Sequence, residues 1–172
     1  CAILKRSYDE YGQHVASRYY NPENELVISS VFHCAGYEYG YDDWGNTTDY
    51  KYIGLDGSLM IRRDLGYAWL HSVYDIEGNE REVYYYDSEG RSVISKEGGY
   101  SFCKKEFDKG NMIEAQYYDT EGNLVLRKDK GYAIVKCEYD NQSQVISEFY
   151  YDIAKQLVIN TEFLCAGKKF QY

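Results

Sequence analysis

Two markers recur along the chain at one spacing. An aromatic residue followed by Asp stands at Tyr8-Asp9, Tyr41-Asp42, Tyr74-Asp75, Phe107-Asp108 and Tyr139-Asp140, with steps of 33, 33, 33 and 32 residues. A second marker, led by Tyr19, Tyr52, Tyr85, Tyr117 and Tyr150, steps by 33, 33, 32 and 33. A fixed period of this length signals stacked units, each burying a face against its neighbours. Equivalent positions are held by Cys1, Cys34, Tyr67, Tyr100, Tyr132 and Cys165, each followed by Ala or Ser. The array therefore divides into units 1–33, 34–66, 67–99, 100–131 and 132–164, with a partial sixth at 165–172. Its two ends fall inside the pattern, so the expectation is a segment of a longer array or one without caps.

Within a unit the local signals are those of strands and turns. Residues 100–107, 111–118 and 123–128 read as three strands, separated by Asp108-Lys109-Gly110 and Asp119-Thr120-Glu121-Gly122. In Asp-x-x-Gly the carboxylate accepts from nearby backbone N–H groups and Gly takes the left-handed position, which predicts a hairpin loop with a bulge. Asp140-Asn-Gln-Ser143 and Asp152-Ile-Ala-Lys155 lack the Gly, so the last full unit should be the least regular. The 32-residue unit has its deletion in the Asp108 turn, where packing suffers least. Alternation in the middle strand puts Ser17 and Tyr19, Tyr50 and Tyr52, Val83 and Tyr85, and Ala115 and Tyr117 on one face. Leu26-Val27-Ile28, Leu59-Met60-Ile61, Ser92-Val93-Ile94, Leu124-Val125-Leu126 and Leu157-Val158-Ile159 are expected to pack between layers. No stretch carries a sustained helical period. The fold class is all-β, an elongated β-solenoid or meander of hairpin repeats. Three reversals per unit would invert successive units in a flat meander, which favours a superhelical winding, as does the tendency of very wide sheets to curl or split.

Net charge is −9 and the isoelectric point about 4.8. Neutralising phosphates needs clustered Lys and Arg, so nucleic acid is excluded as a partner. No apolar run reaches the length of a membrane span, so membrane insertion is not expected. Five cysteines show no metal-ligand spacing and read as small buried hydrophobes; a Cys1–Cys34 disulfide between stacked units is the other reading. His14, His33 and His71 occupy unrelated positions, and no nucleophile elbow or phosphate loop appears. The turn aspartates are too sparse for a calcium loop. Neither an enzyme, a metal nor a cofactor is expected.

The tyrosines are the chemical resource: 22 of them, with two tryptophans. Most should stack from unit to unit. A subset, Tyr20, Tyr84, Tyr86, Tyr118 and Tyr151 together with Trp44, is expected to form an exposed aromatic surface, since flat hydroxyl-tipped rings suit the apolar faces and polar edges of sugars. Trp44 lies at a turn tip, in Asp42-Asp43-Trp44-Gly45, and is the leading candidate for contact with a partner.

Tyr74-Asp75-Ile-Glu-Gly78-Asn79 and Tyr118-Asp119-Thr-Glu-Gly122-Asn123 resemble bacterial tyrosine-aspartate (YD) repeats. Tyr85-Tyr86-Asp87-Ser-Glu-Gly90 is also similar to the cell-wall-binding and glucan-binding hairpin repeats of Gram-positive surface proteins. The resemblance implies an extracellular or surface-attached bacterial module that binds a glycan or cell-wall polymer. The competing reading is a structural or protein-interaction array, such as an adhesin stalk, spacer or shell, with open edges prone to end-to-end self-association.

Overall fold

A computed structural model describes residues 3–170. The chain is all-β, with eleven strands and no helix among the described residues: β1 (Ile3–Tyr8), β2 (His14–Tyr20), β3 (Gly36–Tyr41), β4 (Thr47–Ile53), β5 (Trp69–Tyr74), β6 (Glu80–Tyr86), β7 (Phe102–Asp108), β8 (Asn111–Tyr118), β9 (Ile134–Tyr139), β10 (Val145–Tyr151) and β11 (Gly167–Lys169). Each strand neighbours the strands before and after it, in the order β1 to β11, as in an antiparallel meander. Two compact parts are distinguished, Cys1–Ser72 with Tyr85–Val93, and Val73–Tyr84 with Ile94–Tyr172.

The expected third strand is not a strand. After β8 the chain turns, makes one bridge from Leu124 back to Tyr118 and one further bond from Val125 N–H to Tyr117 C=O (2.9 Å). It then leaves the sheet. The reason is competition for one edge: β9 takes the remainder of β8, pairing Lys136, Val135 and Ile134 with Glu114, Ala115 and Gln116. The same bridge recurs at Tyr20–Leu26, Ile53–Leu59, Tyr86–Ser92 and Tyr151–Leu157. With two strands between successive connectors, chain direction is restored each time, so columns stay aligned in a meander and the inversion that favoured a superhelical winding does not arise. The middle members of the apolar triplets, Val27, Met60, Val93, Val125 and Val158, lie half-buried in these connectors, but the third members Ile28, Ile61, Ile94, Leu126 and Ile159, and Leu157 with them, are exposed rather than packed between layers.

Where connector and strand share an edge, one small residue occupies the junction. Ala35 receives a bond at its carbonyl from Tyr19 N–H (2.9 Å) and donates its own N–H to Ile53 C=O (2.8 Å). Ala68 joins Tyr52 to Tyr86 in the same way, and Ala133 joins Tyr117 to Tyr151. Ala35, Ala68, Ser101 and Ala133 are fully buried. This explains the Ala/Ser column of the sequence: the site has three neighbouring chain segments and no room for a larger side chain.

Tyrosines fill the layer between sheet and connectors. In the first part Tyr52 meets Tyr67 (ring centroids 5.9 Å apart) and Tyr67 meets Tyr85 (4.6 Å). In the second, Tyr100, Tyr117, Tyr132 and Tyr150 follow one another at 4.8, 6.0 and 5.0 Å. Within each part the two sequence columns thus interleave into a ladder. Where the column holds Cys34 instead of Tyr, Phe32 supplies the missing ring, stacked on Tyr19 at 5.7 Å. Connector turns are closed in two ways. Ser29 Oγ accepts from Val31 and Phe32 N–H (3.3 and 3.2 Å). In its place Arg62 and Arg127 pair with Asp64 and Asp129 two residues on and lie over the rings of Tyr52 and Tyr117, each at 4.9 Å.

The outer turns behave as their residues predict. Asp119 Oδ1 accepts from Glu121 and Asn123 N–H (3.0 and 2.8 Å), and Gly122 has φ 86°. Asp75 and Asp87 repeat the pattern. The shortened turn keeps Asp108 paired with Asn111, with Lys109 and Gly110 both at positive φ (50° and 79°), the geometry of a two-residue hairpin loop. In the last full unit Ser143 and Lys155 occupy the left-handed position (61° and 60°), the irregularity expected there.

Two outcomes follow for stability. Ala133→Leu places three extra carbons in a fully buried junction and should destabilise the chain by about 1–3 kcal/mol, read from the denaturant midpoint. The second concerns pH. Backbone N–H groups of Asn79 and Arg91 hold Asp75 and Asp87 below the usual range, and the Asn123 side chain does so for Asp119. A carboxylate depressed in the folded chain adds stability above its unfolded value, near about 4, and loses it as pH falls through the folded value. The urea midpoint should therefore be level between neutral pH and about 5, then fall below about 4; a midpoint that rises on acidification would contradict this.

Candidate functional site

Pairing of β2 with β3 sets the β1–β2 turn beside the β3–β4 turn. Asp9 Oδ1 accepts from Tyr11 and Gln13 N–H (3.0 and 2.8 Å); Asp42 Oδ1 accepts from Trp44 and Asn46 N–H (3.0 and 2.9 Å). The Asn46 side chain donates to the other Asp42 oxygen at 2.9 Å and, with the backbone bonds, holds that carboxyl low. Each loop is thereby fixed by its own Asp, and the residue before its Gly is pushed outward. Those residues are Tyr11 and Trp44, 82% and 72% exposed. Together with Gln13, Asp42, Asp43 and Gly45 they line an open cleft of about 460 Å³. A Cβ on Gly45 would stand 3.4 Å from Gln13 Nε2, so the two loops lie side by side. Two strand spacings separate consecutive hairpins, about 10 Å. The cleft thus offers two aromatic rings, one per loop, with amide and carboxylate groups between them.

The five tyrosines proposed with Trp44 lie elsewhere and are half-buried. Tyr20 is capped by Lys5 Nζ, 4.4 Å from its ring. Tyr86 packs on Trp69 at 4.7 Å, which also carries Lys51 Nζ over its ring at 4.6 Å. Trp69 Nε1 donates to Asp49 Oδ1 (2.7 Å), which also meets His71 Nδ1 (3.0 Å), while Thr48 donates to Oδ2 (2.9 Å). Burial raises the Asp49 carboxyl, but these bonds outweigh it and leave it low. Tyr84 and Tyr118 are brought together through Phe102, stacked at 5.3 and 4.7 Å, and their hydroxyls donate to Glu82 and Gln116. Tyr151 borders a separate cleft of about 270 Å³ with Glu114, Gln116, Ile134, Lys136 and Lys155. The structure therefore gathers Tyr84 with Tyr118, and Trp44 with Tyr11. Trp69, which stands outside the repeating columns, is absorbed into the Asp49 network.

Tyr11 was not among the sequence candidates. The signal was present: Asp9-Glu-Tyr-Gly12 aligns with Asp42-Asp-Trp-Gly45, which places two aromatics in one column of adjacent loops.

His33 is exposed with φ 55°, while the adjacent Cys34 is fully buried. His14 Nε2 lies 2.9 Å from both Ala16 O and Ser17 Oγ. Cys34, Cys103 and Cys137 are buried free thiols and Cys165 a half-buried one, in accord with small core hydrophobes; Cys1, and with it the proposed Cys1–Cys34 bridge, lies outside the described residues. Among the described residues no helix is long and apolar enough to cross a membrane.

No protein-family model matches the chain, and no curated protein matches it. Among solved structures it is similar to one described as "Crystal Structure of TcdB2-TccC3-Cdc42", at 12% identity and a TM-score of 0.48, over 86% of this chain and 9% of that one. A second, "Crystal Structure of TcdB2-TccC3 without hypervariable C-terminal region", matches at 13% identity and a TM-score of 0.32 with the same coverage. The chain thus spans less than a tenth of the length of either.

Burial pushes the Cys103 and Cys137 thiols up to about 11 and leaves little thiolate at neutral pH. Pulse alkylation of the folded chain followed by peptide mapping should label Cys165 well before Cys34, Cys103 or Cys137. Equal labelling of all four would mean that the tyrosine layer opens readily.

Proposed function

We propose that this chain is a non-catalytic tandem-repeat module of a bacterial surface or secreted protein, and that it holds a glycan or cell-wall polymer on aromatic side chains displayed at its turns. Its repeating unit on this reading is the hairpin plus connector of 32–33 residues. The observation that carries the binding assignment is the pair Tyr11 and Trp44, 82% and 72% exposed in one cleft on consecutive loops. Exposing two large rings to water is unfavourable unless a partner covers them. Loops two strand spacings apart, about 10 Å, suit alternate rather than adjacent sugars of an extended polymer. Asp43 and Gln13 are placed to accept from and donate to hydroxyls at the ring edges. The half-buried tyrosines Tyr20, Tyr84, Tyr86 and Tyr118 would contribute rims rather than platforms, because their faces are already in contact with Lys5, Phe102 or Trp69, while Tyr151 borders a cleft of its own.

One observation favours the second reading, a structural or protein-interaction array with no small ligand. Among the described residues β1 pairs only with β2. Its Ile3 and Leu4 are 46% and 41% exposed, whereas the equivalent Ile134 and Val135 of β9 are 2% and 5% exposed. Apolar groups so placed suit pairing with a further strand, of this polypeptide or of another.

Retention of the chain on immobilised bacterial polysaccharides separates the readings. Trp44→Ala and Tyr11→Ala should each weaken retention about tenfold, the order expected for losing one ring–ligand stack of about 1–2 kcal/mol, with the unfolding midpoint unchanged because both side chains are exposed. If no polysaccharide is retained by the parent chain, while sedimentation shows association through β1, the scaffold reading takes its place.

A further inference from the structure

Two of the outer turns share a pattern that the third and fifth lack. Asp9-Glu10-Tyr11-Gly12 and Asp42-Asp43-Trp44-Gly45 each place an acid and then an aromatic between the capping Asp and the Gly. The same two positions hold Ile76 and Glu77 in the third hairpin, and Asn141 and Gln142 in the fifth. Those turns close in the same way, with Asp75 and Asp140 accepting from the backbone N–H groups that follow. The turn itself therefore requires neither the second acid nor the ring. Their joint appearance in two neighbouring loops is surplus to folding.

Charge in the cleft follows from the same residues. The two turns, residues 9–13 and 42–46, hold four carboxylates and no basic residue. Asp42 and Asp43 line the cleft with the rings of Tyr11 and Trp44, and both Asp43 and Glu10 are exposed. The basic groups of this part of the chain are engaged elsewhere. Arg18 pairs with Glu38, Arg62 with Asp64 and Arg91 with Asp87. Lys5 lies over Tyr20 and Lys51 over Trp69. Arg63 borders a cleft of the connectors beside Asp64. His14 is held at Ala16 O and Ser17 Oγ. Arg6 is opposite Ser17 in register, on β1, the strand of its hairpin farther from the Trp44 loop. In the third hairpin Arg81 is 3.6 Å from Asp75. The cleft thus offers ring faces and carboxylates with no ammonium or guanidinium among its lining groups. Ring faces attract a cation through their quadrupole, Trp most strongly, and a carboxylate makes its strongest hydrogen bonds to a charged donor.

We propose that the Tyr11–Trp44 cleft recognises an amino sugar whose amine is free and protonated, as in a deacetylated glucosamine polymer, with sugar faces on Trp44 and Tyr11 and ammonium groups on Asp42 and Asp43. A neutral or N-acetylated sugar would use the rings alone and leave the carboxylates without a counter-charge. An anionic polymer would meet four like charges. The inference rests on the reading of this cleft as a glycan site, and names the ligand class within it.

Calorimetry of the full 172-residue chain with a linear glucosamine oligomer and with its fully N-acetylated counterpart tests it, at mildly acidic pH where the amines are protonated and the carboxylates stay ionised. The glucosamine oligomer should bind about tenfold or more tightly than the acetylated one, and added salt should narrow the gap. Asp43→Asn should weaken the glucosamine oligomer about tenfold and bring the two oligomers toward equal affinity, with the unfolding midpoint level because the side chain is exposed. Trp44→Ala keeps every charge and should still weaken the glucosamine oligomer by a similar factor. Binding that survives Trp44→Ala would be general attraction to a chain of net charge −9 and would overturn the proposal. Equal or tighter binding of the acetylated oligomer, or full binding by Asp43→Asn, would overturn it as well, and either would leave the glycan reading of the cleft standing. Failure of the parent chain to bind either oligomer, with Trp44-dependent retention on a neutral polysaccharide intact, would overturn the proposal alone; loss of that retention too would remove the glycan reading with it.

Discussion

Everything in this structure hangs on a shared edge. The last two residues of a strand such as β8 bond to the connector that follows the turn, and the rest of that edge bonds to the next strand. The two segments can share the edge only if the residue between them is small. Ala35, Ala68, Ser101 and Ala133 meet that condition, fully buried, and at Ala35, Ala68 and Ala133 backbone bonds run to both sides of the junction. Backbone groups buried in this way must be paired. A junction that brings three segments together satisfies its N–H and C=O groups without help from side chains. The requirement therefore falls on residue size, and it recurs wherever strand and connector meet.

The tyrosines depend on that junction. By lifting the connector out of the sheet, it opens a thin layer that is too narrow for a conventional apolar core and well matched to flat rings. Interleaved rings at 4.6–6.0 Å fill it, and the hydroxyls reach polar neighbours, as between Tyr19 and Tyr37 (3.0 Å) or Arg127 and Tyr117 (3.1 Å). This accounts for a low mean hydropathy of −0.63 in a chain whose core positions are nonetheless buried. Substitutions in one column are compensated locally: Phe32 supplies a ring where Cys34 does not, and Arg-x-Asp closes a connector turn that Ser closes elsewhere.

Much of this was legible in the residues. Turn chemistry and the small column could be read directly, because each rests on a local requirement for Gly, Asp or Ala. The third segment was misread as a strand. Leu124-Val125-Leu126 has strand propensity, but what removes it from the sheet is the claim of β9 on the same edge, a non-local contest that no local pattern records. The candidate site was legible at Trp44, whose turn tip is set by Asp42. Tyr11 escaped because one tyrosine among 22 carries little signal until its loop is seen beside the Trp44 loop. The half-burial of Tyr20, Tyr84, Tyr86, Tyr118 and Tyr151 depends on what crosses the opposite strand, and alternation alone does not say whether that neighbour is Phe102, Trp69 or a lysine.

The even count of strands between connectors has an evolutionary corollary. A duplicated block of one hairpin with its connector enters and leaves the sheet running the same way, so neither face is turned over and no ring changes sides. Adding a whole block would leave the running direction of the chain unchanged, whereas inserting a single strand would invert everything downstream.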